Sequence, residues 1–221
     1  MEKTFWIDPY QQTLYTRVVC VNVNEILLEK TIAYSFSGGQ ESDKAFINDI
    51  EILSSRMEGP LIYYTLPDGH GLTNHTEVVM TIDWPRRYKL MRLHFAAELV
   101  LELVTKKFQL EKVGAHISEL RARIDFKSDN NISSIFEDIL ADYNEIIRSD
   151  KIIQTGFSDT ETQRRFWKID GLAEVPCGGT HVKSTAEVGF IKLKRSHPGK
   201  SIERIEITLL NNLEERQSVN G

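Results

Sequence analysis

The chain has 221 residues, 41% hydrophobic and 27% charged, proportions that exclude collagen-like, low-complexity and extended disordered classes. Lys+Arg 27 against Asp+Glu 32 leaves a net charge of −5, so the molecule lacks the basic field of a non-specific nucleic-acid binder, although a local basic patch stays open. Its two cysteines, Cys20 and Cys177, exclude a disulfide framework as the organising principle.

The start, MEKTFWIDPYQQ, has no apolar leader region and no later window approaches a membrane span, so the chain reads as cytoplasmic with no membrane contact. Short β-branched and aromatic runs follow from Leu14 to Val23, Glu25 to Tyr34, Pro60 to Thr65 and Glu77 to Asp83. Turn signals such as Ser37-Gly38-Gly39 and Pro67-Asp68-Gly69 separate them, which predicts a small, mostly antiparallel β unit. Cys20, inside the first run, reads as a small buried hydrophobe.

After Trp84-Pro85 the period changes. Tyr88, Met91, Phe95, Leu99 and Leu103 recur at helical spacing, and Leu90, Leu93, Ala97, Val100, Leu101 and Val104 make the helix apolar nearly all round, so a central, buried helix is expected. A domain boundary is placed here, with residues 1–85 before it and 86–221 after it. Ala122, Ile124 and Phe126 alternate in a strand pattern, and Ser134 with Glu137 reads as a capping box before Ile135, Ile139, Tyr143 and Ile146. The last strands are Val188 to Lys194 and Ile202 to Leu209, with His197-Pro198-Gly199 as their loop, and the QSVNG end reads as frayed.

Three constellations could carry chemistry. His94 and Glu98 lie four apart on one face of the central helix, either as a hydrogen-bonded core pair or as half of a metal site. Cys177-Gly178-Gly179-Thr180-His181 sets a thiol and an imidazole four apart, as a ligand pair, a nucleophile pair or a coincidental turn. Together they offer N, O, S and N donors, the number a tetrahedral zinc takes. In Thr31-Ile32-Ala33-Tyr34-Ser35-Phe36-Ser37-Gly38-Gly39-Gln40 a strand runs into a glycine turn that can offer polar groups to a ligand or simply connect a hairpin. Basic residues bunch at Arg86-Arg87-Lys89-Arg92 and at Lys192-Lys194-Arg195-Lys200-Arg204, as solvated faces or as limited phosphate contacts.

DWPRRYKLMRLHFAAEL resembles the D-W-x-R-R-x-x-x-M-R-x-H-T-A-x-H-L segment of alanyl-tRNA editing proteins, free-standing relatives of the editing domain in alanyl-tRNA synthetase. PCGGTHVKSTAEVGFIKLK is similar to their C-x-G-T-H-V-x-N-T-G-E-I-G segment, and TIAYSFSGGQESD to their T-x-F-Y-P-x-G-G-G-Q-x-x-D. The resemblance implies an α+β fold, with a small N-terminal antiparallel β-barrel-like domain followed by an α+β zinc-binding editing domain. It implies a cytoplasmic hydrolase that removes the amino acid from a mischarged aminoacyl-tRNA, seryl- or glycyl-tRNA for alanine, at zinc and without ATP. By position, His94, Cys177 and His181 match three zinc ligands, and Glu98 stands where the second helix histidine belongs. Glu98 could be the fourth ligand, a general base or a hydrogen-bond acceptor for His94. Thr31 matches a threonine placed near a serine hydroxyl, Gln40 matches the glycine-motif glutamine, and Arg86, Arg87 and Lys194 are the expected tRNA contacts. Phe95, Ser35, Ser37 and Ala186 depart from the pattern, which keeps a catalytically impaired or respecialised tRNA- or zinc-binding module as the alternative.

Overall fold

The computed structural model describes residues 1–210; the QSVNG segment lies outside them. The architecture is mixed α+β, mostly antiparallel strands with three helices among the described residues. Contacts divide the chain into a first unit, Met1–Tyr88, and a second beginning at Lys89. No helix is long and apolar enough to cross a membrane among the described residues.

The first unit is built on a curled seven-stranded sheet. Its order is Ile50–Glu51, Ala45–Ile47, Glu77–Ile82, Thr13–Asn22, Glu25–Leu28, Leu61–Thr65 and Ser54–Glu58. Thr13–Asn22 is the hinge of the curl, because its first half pairs with Glu77–Ile82 and its second with Glu25–Leu28. A bulge between Val18 and Cys20 marks the handover and adds local twist. Five of the strands alternate one face into a core of Val18, Ile26, Leu28, Ile47, Ile62, Tyr64 and Met80, joined by Ile32, while Ile50–Glu51 and Ser54–Glu58 contribute no fully buried residue. The bulge breaks that alternation, so Val19 and Cys20 both point outward, and the expected burial of Cys20 is not observed. Ser37-Gly38-Gly39-Gln40 closes as a two-residue hairpin turn, with Gly38 at φ 59° and Gly39 at φ 88°, a conformation that favours glycine at both centres.

Helix α1 spans Trp84–Phe108. The Asp83 carboxylate accepts from the Arg86 backbone N–H at 3.1 Å, and Pro85 sits in the first turn where no N–H is needed. Leu90, Met91, Leu93, Phe95, Ala96, Leu99, Val100 and Val104 are buried, as the near-continuous apolar surface predicts.

In the second unit a four-stranded antiparallel sheet runs Glu111–Ile117, Ala122–Lys127, Ile202–Leu209, Ile191–Gly199. The last hairpin differs from the reading of His197-Pro198-Gly199 as a loop. The strand continues through Gly199 with a bulge after Ser196, since Arg195 and His197 both reach back to the buried Glu203 at 2.6 and 2.8 Å. Pro198 is tolerated there because the strand is at the sheet edge. Ahead of it, Val188, expected to begin the strand, instead ends a single helical turn, Thr185–Val188, stopped by Gly189 at φ 77°, and the strand starts at Ile191. Helix α2 is Phe136–Arg148, and it buries Ile139, Tyr143 and Ile147. The Ser134–Glu137 capping box does not form: Asn131 accepts from the Ser133 N–H at 2.9 Å and starts a 3-10 turn, Ile132–Ile135, that runs into the helix. A third sheet, unread in the sequence, has the order Gln154–Asp159, Arg164–Ile169, Ala173–Pro176.

Candidate metal centre

Helix spacing puts His94 and Glu98 one turn apart on α1, with His94 Nε2 and Glu98 Oε1 3.4 Å from each other. Cys177 follows directly on the strand Ala173–Pro176, where its backbone N–H still pairs with Arg165 O at 2.9 Å. That register brings its Sγ to 3.4 Å from His94 Nε2 and 3.7 Å from Glu98 Oε1. His181 is buried four residues on, its ring centroid 5.1 Å from that of His94. Phe95 holds both sides of the arrangement, edge-on to His181 at 5.6 Å and to Trp167 at 5.1 Å. Gly178 has room for a Cβ and an ordinary φ, so sterics there do not demand glycine.

One donor atom each from His94, Cys177 and His181 lies within 4.8 Å of the others. The fit to a metal is tested by His181 Nε2, a buried nitrogen with no hydrogen-bond partner. Such an atom is costly unless something binds it, and the surrounding set of two imidazoles and a thiol suits a borderline-soft cation such as zinc. Metal ligation therefore fits the residues present.

The charges in the cluster shape one another. Burial alone would raise the Cys177 thiol, but the His94 and His181 imidazoles bring it down to about 6. Burial alone would likewise suppress the His94 imidazolium, and the Cys177 thiolate with the Glu98 carboxylate raises it to about 10. Glu98 is held at about 2 against its own burial, by His94 first and then by the Trp167 indole N–H. The cluster thus holds negative charge on sulfur and on carboxylate oxygen against a proton on His94, and a bound metal would take up the two anionic donors and displace that proton.

The other expected residues belong to the first unit or to the second unit's edge. Thr31 is fully buried. Its Oγ1 accepts from the Ala33 N–H at 3.0 Å and lies 2.5 Å from the Tyr64 hydroxyl, which itself donates to Ala33 O at 2.7 Å. Gln40 is fully buried at the end of the glycine turn. Arg87, expected to contact phosphate, is instead entirely buried. Its guanidinium is ion-paired to Asp43 and donates to Ile32 O at 2.5 Å and Pro9 O at 3.0 Å, which leaves it no path to a polyanion. Arg86 pairs with Glu41 at 2.8 Å. Lys194 is exposed on the edge strand of the four-stranded sheet.

Sequence reasoning missed Trp167, whose indole donates to Glu98 Oε2 at 3.1 Å. A signal existed in the alternation of Arg165, Trp167 and Ile169, all buried on one face of a short strand. It missed the parts played by Asp43 and Tyr64 as well: Asp43 closes the TIAYSFSGGQESD segment but its partner Arg87 is 44 residues distant, and Tyr64 stands 33 residues from Thr31.

Residues 165–206 match the family model described as threonyl and alanyl tRNA synthetase second additional domain. The chain is 33% identical over 212 residues to the alanyl-tRNA editing protein AlaX-M of Pyrococcus horikoshii, covering 94% of this chain and 97% of that protein. Identity to AlaX-M of Saccharolobus solfataricus is 31% over 234 residues, with 94% and 98% covered. The chain is also 25% identical over 230 residues to the alanine–tRNA ligase of Methanococcus aeolicus, spanning 94% of this chain and 25% of the ligase.

Proposed function

Because this chain belongs to the alanyl-tRNA editing protein family, we propose that it hydrolyses the ester of mischarged aminoacyl-tRNA in trans, with seryl- or glycyl-tRNA for alanine as the substrate class. The observation that carries this is the convergence of His94, Cys177 and His181 around an imidazole nitrogen left without a partner. These three residues, with Glu98, would hold zinc. When bound, zinc supplies Lewis-acid chemistry to the ester, an already activated group whose hydrolysis needs one developing oxyanion stabilised.

The chain's own residues set the terms of that chemistry. Cys177 and Glu98 bring two negative charges, which would offset the ion's charge more than one thiolate and three imidazoles do. Glu98 Oε1 lies 3.4 Å from His94 Nε2 and 3.7 Å from Cys177 Sγ while its other oxygen is taken by Trp167, so we assign Glu98 to ligation through Oε1 rather than to general-base work. Thr31 and Gln40 enter as residues that shape the first unit, since the Thr31 hydroxyl is already engaged by Ala33 and Tyr64. Serine is larger than alanine, so size exclusion cannot reject alanine, and discrimination must come from a group that needs the substrate hydroxyl. Lys194, exposed, is the tRNA contact we retain, and the net charge of −5 implies modest affinity.

The presence of Glu98 in the cluster favours one second reading, a binding module with impaired catalysis. A deacylation panel of Ser-, Gly-, Ala- and Thr-charged tRNAs, with and without chelator, separates the two. Hydrolysis of the seryl or glycyl ester that disappears with chelator is expected. No hydrolysis of any of the four would leave the binding module.

A further inference from the structure

We propose that Trp167 is a positioning residue that assigns the two oxygens of Glu98 separate tasks, Oε2 to the indole N–H and Oε1 to the His94–Cys177–His181 cluster. The inference rests on the metal reading above. Trp167 is fully buried in the middle strand of the three-stranded sheet, paired to Thr155 on one side and Val175 on the other. Its ring is fixed edge-on against Phe95, and its N–H meets Glu98 Oε2 at 3.1 Å. The remaining oxygen, Oε1, is the one near His94 Nε2 and Cys177 Sγ, at 3.4 and 3.7 Å.

The physical need for such a device is plain. The terminal torsion of a glutamate is broad and two-fold, so an untethered carboxylate presents either oxygen, or both, to a cation. An indole carries one N–H donor and no acceptor. It can therefore occupy one carboxylate oxygen and cannot compete for the other, which leaves a single donor atom at a defined place. The same property makes the pair selective for residue type: a histidine ligand at position 98 would turn a second N–H donor toward the indole, and neither could accept. Trp167 and Glu98 are thus matched as donor and acceptor. Replacing one has consequences that depend on the other.

The test is metal binding by the full chain, read by Co(II) and Zn(II) titration and by the visible ligand-field bands of the Co(II) form. Trp167→Phe, and site-specific replacement of Trp167 by 3-benzothienylalanine, which exchanges the N–H for sulfur and keeps the ring's shape, should each weaken Co(II) affinity about 10–100-fold and shift the bands. In a Glu98→His background the sign should reverse, with Trp167→Phe tightening binding. The sulfur analogue guards against a folding artefact, because it preserves the contact with Phe95. If it binds Co(II) with the wild-type affinity and spectrum, Trp167 does not position Glu98 and the metal reading stands alone. If Trp167→Phe weakens binding equally in both backgrounds, the effect is packing and the proposal is overturned. Failure of the wild-type chain to bind either metal overturns the metal reading and this inference with it.

Discussion

Two buried clusters of opposite charge, one in each unit, differ in whether their valences close. In the first unit Arg87 and Asp43 are both fully removed from water. Arg87 Nε donates to Asp43 Oδ1 at 2.8 Å, its terminal nitrogens reach Ile32 O and Pro9 O, and Tyr34 N–H donates to Asp43 Oδ2 at 2.6 Å. In the second unit His94, Glu98 and Cys177 engage one another at 3.4–3.7 Å while His181 Nε2 has no partner. Burial and charge are common to both, so neither property distinguishes scaffold from site. A leftover donor set among other ligating groups does: the Arg87–Asp43 network satisfies itself, whereas His181 Nε2 is left open beside His94 and Cys177, where a cation would complete the cluster.

The comparison can be broken at either end. Cys177→Ser should carry the largest effect, loss of stoichiometric zinc by elemental analysis, because it removes the anionic sulfur donor from a three- or four-donor set. Full retention of zinc would place the metal elsewhere. Arg87→Ala should destabilise the protein by about 3–5 kcal/mol in denaturant unfolding, since it leaves Asp43 buried without its cation, and it should leave metal stoichiometry as it was. A loss under about 1 kcal/mol would mean that water or another cation replaces the guanidinium and that the cluster is not closed. Thr31→Val probes the edge of the same network and should cost about 1–3 kcal/mol, because the Ala33 N–H loses its acceptor and the Tyr64 oxygen a neighbour. Its saturated hydroxyl leads us to expect an unchanged ratio of Ser- to Ala-tRNA hydrolysis. A fall in that ratio of about 1–3 kcal/mol would instead give Thr31 a valence open to substrate.

What could be read beforehand was periodic or local. The helix through His94 and Glu98 followed from the helical spacing of Tyr88, Met91, Phe95, Leu99 and Leu103, and Ile205, Ile207 and Leu209 marked the last strand by strict alternation. Spacing alone brought His94 beside Glu98 and left Cys177 and His181 with several readings; tertiary packing joined the two pairs. The strands Glu111–Ile117 and Gln154–Asp159 escaped notice because they are edge strands with mostly exposed or half-buried side chains, which blurs a period of two. Arg87 was misread for a different reason. A pair of adjacent arginines carries no mark of which one turns inward, and that depends on Asp43, which local sequence cannot associate with it.

The bulge at Val18–Cys20 has a practical consequence for chemical probing. It turns one of the two thiols out to solvent, while the other lies between the two imidazoles of the cluster. A small alkylating reagent would then meet Cys20 in every preparation but Cys177 only where no metal shields it. The ratio of the two adducts, read by peptide mass spectrometry, reports site occupancy within a single molecule, with the misfit in one strand acting as the internal standard.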